Sequence, residues 1–145
     1  MRLVIQRVKE AKVFVKEKDK VVGKISKGLF ILMGVTEGDS KEDAEKLAEK
    51  VSKLRIMADE NGKMNLSIKD VGGEILVVSQ FTLYADTRKG NRPSFIKASV
   101  PGLAKDIYEH FVTQLEGKGV KVETGEFGAY MEIDTDLDGP VTIIL

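Results

Sequence analysis

The sequence contains no cysteine, which excludes disulfides, thiol nucleophiles and zinc–thiolate sites together. Its single histidine, His110, excludes a multi-histidine metal centre and leaves one imidazole for any triad. Net charge is absent as well, because 23 Lys and Arg balance 23 Asp and Glu. A uniformly basic nucleic-acid coat is therefore excluded, although a local basic patch is not. No apolar run approaches the roughly 20 residues that a membrane helix needs. Arg2, Arg7, Lys9 and Glu10 interrupt MRLVIQRVKEAKVFV before a signal-peptide core can form. The phosphate-cradling patterns GxGxxG and GxxxxGK[ST] are also missing. The expectation is a cytoplasmic protein with no membrane partner, no metal and no cofactor.

What is present is enough for one domain. The 145 residues are 42% hydrophobic and 32% charged, so the chain can bury a core and remain soluble. Residues 2–8 and 11–17 read as strands, with Val13 and Val15 alternating with lysines, and 17–20 as a hairpin turn into 21–25. The run 28–36 has the length of a strand buried on both faces, as does EILVVS at 74–79. Ser40 and Asp43 form a capping-box pattern, followed by an apolar stripe through Ala44, Leu47, Ala48, Val51 and Leu54. A second helix is predicted over 101–117, stopped by Gly117 and Gly119. Asn61-Gly62 and Gly72-Gly73 mark turns, and strands are predicted at 120–124, 129–135 and 140–145. Strands, helix, strands, helix, strands is an α+β-like order within a mixed α/β class. It predicts two curled, barrel-like β-sheets with two helices packed outside, layered α/β/β, in a single domain over 1–145.

Three segments carry chemistry. Ser79-Gln80-Phe81-Thr82-Leu83 places hydroxyl and amide groups where the most buried strand ends, a common place for a site to open. A strand end whose Ser and Thr satisfy their own backbone has the same appearance. In the loop from Ala85 to Phe95, Arg88, Lys89 and Arg92 gather three positive charges beside Phe95, a set suited to phosphates and a stacked base. A solvated loop is the plainer reading of that composition. Asp138-Gly139-Pro140-Val141-Thr142 precedes the last strand, where an ordinary turn is the default. His110 reads as a helix-surface or partly packed histidine. Glu132, Asp134, Asp136 and Asp138 read as exposed strand positions and a turn, since no calcium-loop spacing is present.

Taken together, Ser79-Gln80-Phe81-Thr82-Leu83, Ala85-Asp86-Thr87, Arg92-Pro93-Ser94-Phe95 and Gly139-Pro140-Val141-Thr142 resemble the D-aminoacyl-tRNA deacylase family. Gln6-Arg7-Val8, Gly62-Lys63-Met64-Asn65 and Thr124-Gly125-Phe127 extend the resemblance over the whole chain. It implies hydrolysis of the ester joining a D-amino acid, or glycine, to the terminal adenosine of tRNA, by a homodimer with pockets at the subunit interface. Ser79, Gln80, Phe81 and Thr82 would line the pocket around the adenosine and the scissile ester. Gly139-Pro140 would be a cis peptide projecting into the other subunit's pocket to exclude L-amino acids, with Arg7 holding it and Met131 flanking it. One departure stands out. The family usually has Asn two residues before the glycine, where this chain has Leu137. The amide contact there is expected to be missing or replaced, with Asp136 or Asp138 as candidates.

With no Cys, a remote His110 and no acid inside the two short motifs, Thr82 lacks a base to activate it. The remaining route is main-chain N–H groups of Gln80, Phe81 or Thr82 stabilising the oxyanion, with the substrate's 2′-hydroxyl positioning water. Two rival classes stay open at this point. One is a non-catalytic nucleic-acid-binding module using the basic loop; the other is an esterase acting on small substrates.

Overall fold

The computed structural model describes all residues from Met1 to Leu145. Ten elements follow in chain order: β1 Arg2–Val15, β2 Lys20–Ile25, β3 Gly28–Gly34, α1 Lys41–Lys53, β4 Met57–Ala58, β5 Met64–Leu66, β6 Glu74–Ser79, α2 Pro101–Gly117, β7 Lys121–Thr124 and β8 Met131–Ile144. Strands 1, 2, 3, 6, 7 and 8 form one mixed sheet, and β4 and β5 form a small separate ribbon. Along one side of β1 run first β3 and then β2, both antiparallel to it; β8 runs along the other. β6 joins β3 in parallel and β7 joins β6 in parallel. The sheet then curls until β7 meets β2. A Cβ on Gly23 would lie 2.4 Å from the Thr124 carbonyl oxygen, so only glycine lets the barrel close there.

The double-sided apolar runs have a direct explanation. Ile75 and Val77 of β6, with Leu29, Ile31 and Met33 of β3, face the helices and pack with Ala44, Ala48, Val51, Ile107, Phe111 and Leu115. Their alternates Phe30, Leu76 and Val78 face into the curl and meet Val8, Ala11, Val13 and Ile25. One strand thus serves two cores, which is why alternation with polar residues disappears from its sequence. The expected layering of two helices over a curled, barrel-like sheet is present. Both curls share β1 and form one continuous sheet.

Helix α1 begins as its sequence dictates: Ser40 accepts from the Asp43 N–H, and the Asp43 carboxylate accepts from the Ser40 N–H at 3.0 Å. His110 of α2 meets Glu45 of α1 at 2.8 Å, so the histidine joins two helices, away from the polar segments.

Three element boundaries differ from the sequence expectation. Residues 2–8 and 11–17 are one strand, because β8 pairs along almost all of it and a register shift between Val8 and Glu10 absorbs the polar Lys9. Residues 16–18 form a 3₁₀ turn. The strands expected at 129–135 and 140–145 are likewise one strand, β8, since β1 supplies partners on both sides of the glycine–proline step.

Candidate active site

The two polar segments that close β6 and interrupt β8 owe their shapes to neighbouring main chain. At the end of β6 the parallel ladder continues one residue further, and the Gln80 N–H donates to the Met33 carbonyl at 2.7 Å. The chain then tightens into a 3₁₀ turn over Phe81–Tyr84. Within that turn the N–H groups of Phe81 and Thr82 lie ahead of the first internal bond and have no acceptor there. Of the three main-chain N–H groups offered as alternatives, that of Gln80 already serves the sheet, which leaves those of Phe81 and Thr82 without a main-chain acceptor. The Gln80 side-chain amide donates to the Thr82 hydroxyl oxygen at 2.6 Å. This contact fixes the hydroxyl without offering to take its proton.

Phe81 and Thr82 are exposed, and Phe81 packs edge-on against Phe95, ring centroids 5.1 Å apart. Phe95 thereby ties the basic loop to the polar corner. A reciprocal pair of main-chain bonds between Asp86 and Ser94 closes the loop's neck. Inside it, Asp86 receives Arg88 through Nε at 2.9 Å and Nη2 at 2.5 Å, with the Lys97 ammonium at 3.7 Å. The Arg88 guanidinium holds the Asp86 carboxyl well below the usual carboxylate range. Arg88 is thus half-neutralised by its own loop, whereas Lys89 and Arg92 form no ion pair.

The second polar segment is a bulge. Val8 pairs with Leu137 and Gln6 with Thr142, so residues 138–141 of β8 span a single β1 position, that of Arg7. The Gly139–Pro140 peptide is cis, and Gly139 sits at φ +127°, a region that favours glycine. Both residues are exposed. Arg7 is buried beneath them, donating from Nη1 to the Ile56 carbonyl at 2.9 Å and from Nε to the Asp138 carbonyl at 3.3 Å. The Asp138 carboxylate lies 3.0 Å from the same Nε. Of the two candidates to support the bulge beside Leu137, Asp138 fills the role; Asp136 faces Lys9 at 4.0 Å instead. Lys12 and Asp134 pair at 2.9 Å, so the alternating acids of β8 meet lysines of β1.

Met131 opens β8 and accepts from the Glu126 N–H at its sulfur, 3.4 Å away. A Cβ on Gly125 would come within 2.7 Å of that sulfur, so the glycine lets the methionine side chain lie against the main chain where β7 leaves the sheet. Beside it a cleft of ≈ 510 Å³ opens between α2 and Thr124–Phe127, walled by Tyr108 and Phe127. Tyr108 donates to the Val77 carbonyl at 2.8 Å, and burial pushes its phenol up. Tyr108 lies on the apolar stripe that α2 shares with Ile107, Phe111 and Leu115, and nothing in that spacing signals the cleft.

The structure brings together Ser79–Thr82, Phe95 and the loop of Arg88, Lys89 and Arg92. It separately joins Arg7, Asp138, Gly139 and Pro140. It does not bring the two groups together within one chain. Arg7 pairs with Leu29 at one end of β3, whereas Met33 at the other end pairs with Ser79. Four residue steps separate them, roughly 13 Å along β3.

Comparison with known proteins adds ancestry to this geometry. The sequence profile described as D-Tyr-tRNA(Tyr) deacylase matches residues 4–145. A D-aminoacyl-tRNA deacylase of Thermotoga petrophila is 59% identical over 145 residues, covering 100% of this chain and 96% of the relative. Another, of Lactobacillus gasseri, is 54% identical, covering 100% of this chain and 99% of the relative. A solved structure described as "c-Myc DNA Unwinding Element Binding Protein" superposes with TM-score 0.91 at 38% identity, covering 100% of this chain and 97% of its own. One described as a probable eukaryotic D-amino acid tRNA deacylase shares the fold, with TM-score 0.85 at 17% identity and coverage of 99% and 97%. Likeness of this extent puts the protein among the deacylases, which are hydrolases. The chain belongs to the D-Tyr-tRNA(Tyr) deacylase family.

Proposed function

We propose that the protein hydrolyses the ester of D-aminoacyl-tRNA, and of mischarged glycyl-tRNA, releasing the free amino acid and intact tRNA as a chirality proofreading step in the cytoplasm. The full-length likeness to D-aminoacyl-tRNA deacylases, at 59% identity, carries this reading. It works without a nucleophilic side chain. The Phe81 and Thr82 N–H groups receive the developing oxyanion, and the substrate's 2′-hydroxyl, adjacent to the ester, positions the attacking water. A purely binding role for the chain is disfavoured by that ancestry, and an esterase of small substrates would need no basic loop. Cleavage of a free D-amino-acid ester at the rate of the tRNA ester would overturn the requirement for tRNA.

The working unit is a homodimer in which each Gly139–Pro140 bulge enters the partner's Ser79–Thr82 corner. Two observations support this. The bulge and the corner lie at opposite ends of β3 in one chain, and β8 presents an unpaired outer edge with Ile133, Leu137 and Ile144 exposed. Such an edge is a template for pairing or a surface for burial against a second copy. Sedimentation should report about twice the mass of the 145-residue chain.

The basic loop tracks the tRNA backbone, with Phe95 stacking at its margin. From sequence alone, removing Arg88, Lys89 and Arg92 is expected to flatten the salt slope by roughly two to three units. The structure sharpens this expectation, because Arg88 is already held by Asp86. Lys89→Ala with Arg92→Ala should remove about 1.5–2 units, and Asp86→Asn should steepen the slope by about one by freeing Arg88. Titrations at a series of salt concentrations would check this, and unchanged slopes in all variants would place the tRNA elsewhere.

A further inference from the structure

The bulge of β8 has little main chain to hold it, since residues 138–141 face one residue of β1. Its neck is closed by a single buried guanidinium. Arg7 is 9% exposed, and Asp138 is the only carboxylate within 4.0 Å of it. A guanidinium taken out of water without a counter-charge is unfavourable, so the Asp138 carboxylate keeps Arg7 beneath the bulge. The contact also runs the other way. Nε meets both the carboxylate and the main-chain carbonyl of Asp138, so residue 138 is gripped by side chain and backbone together. A Cβ at Gly139 would lie 3.4 Å from Nη2 of Arg7, which places the guanidinium directly against the glycine. The arginine's other anchor, the Ile56 carbonyl, belongs to the segment entering β4 and not to β8.

We infer that Asp138 is a positioning residue for stereochemical rejection: by neutralising and orienting Arg7 it sets how far Gly139–Pro140 projects, and so how completely an L side chain is excluded. This rests on the deacylase reading above. Steric rejection depends on a wall that does not yield, because D and L esters differ only in where one substituent points. Without the carboxylate, Arg7 keeps the Ile56 and residue-138 carbonyls but loses its charged partner, and the bulge, held by one main-chain contact alone, can retreat. A D-amino acid, pointing away from the wall, is then turned over almost as before, while an L-amino acid gains entry. The loss therefore falls on selectivity and leaves turnover of the correct substrate nearly unchanged.

The test compares kcat/KM for D- and L-tyrosyl-tRNA in the wild type, Asp138→Asn, Asp138→Ala and the control Asp136→Ala. Asp136 sits two residues away and pairs with Lys9 on the exposed surface. Asp138→Ala should lower the D-to-L ratio at least tenfold, mainly by raising the L rate, with D turnover within threefold. Asp138→Asn, which keeps an acceptor but not the charge, should fall between, and Asp136→Ala should match the wild type. A ¹⁵N-edited spectrum of the arginine Nε–H groups provides a second readout. The Arg7 signal should be slowly exchanging in the wild type and exchange faster in both Asp138 variants. A selective wild type with an unchanged ratio in either folded Asp138 variant would overturn this inference alone. A wild type that releases neither amino acid would overturn the deacylase reading, one that releases both equally would overturn the Gly139–Pro140 wall and the inference with it, and the Arg7 spectrum would in either case still report whether the ion pair forms.

Discussion

A D-aminoacyl-tRNA ending in 2′-deoxyadenosine should be hydrolysed on the order of 10²–10⁴-fold more slowly than its ribose counterpart, the range lost when a positioned proton-transfer group is removed. The expectation follows from what surrounds Thr82. Its hydroxyl accepts from the Gln80 amide, His110 is engaged with Glu45 between the helices, and Asp86 is saturated by Arg88. Neither His110 nor Asp86 is free to act as a base there, and the proposed mechanism therefore assigns the positioning of water to the substrate's own 2′-hydroxyl, next to the ester oxygen. By the same reasoning Thr82→Ala should cost only about 10–100-fold, the loss of one pocket hydrogen bond, since a triad nucleophile would cost far more. Single-turnover rates with the two substrates and the two enzymes would check both statements. A trapped acyl-Thr82 intermediate would refute them.

The second large effect concerns the main chain. Replacing the Phe81 or Thr82 amide by an ester, with the side chain kept, should lower kcat by about 10²–10³-fold with KM little changed, because one oxyanion donor disappears. The same replacement at Gln80 should behave differently. That N–H is bonded to the Met33 carbonyl at 2.7 Å, so its loss should lower the thermal midpoint and leave kcat nearly intact. Semisynthetic protein carrying each ester in turn would separate the two roles. Equal kcat losses at all three positions would mean that the 3₁₀ turn acts only as scaffold.

Much of this was visible in the chain itself, for identifiable reasons. The Ser40–Asp43 box and the stripe from Ala44 to Leu54 produced α1 because local capping and burial agree there. The runs at 28–34 and 74–79 announced strands buried on both faces, and each feeds two cores. The ends of β1 and β8 were less legible, because strand continuity was set by a partner more than a hundred residues away in sequence. A glycine–proline step reads locally as a stop, yet it bulges when the paired strand continues past it. At the site, the resemblance marked the motif residues, with Arg7 as the holder and Asp138 as one of two acids offered beside the bulge. The pairing of Asp86 with Arg88 was not read, and the Ile56 carbonyl has no sequence signature at all. Each acquires its role only when the fold brings a guanidinium to it.

Chirality is the property by which the Gly139–Pro140 wall is tested most directly. Purified protein should be given D-tyrosyl-tRNA and L-tyrosyl-tRNA side by side under identical conditions, with release of free tyrosine followed over time. The predicted result is rapid release from the D ester and none above the uncatalysed rate from the L ester. Equal turnover of both would contradict the Gly139–Pro140 wall, and turnover of neither, with tRNA still bound, would make the chain a binding module instead.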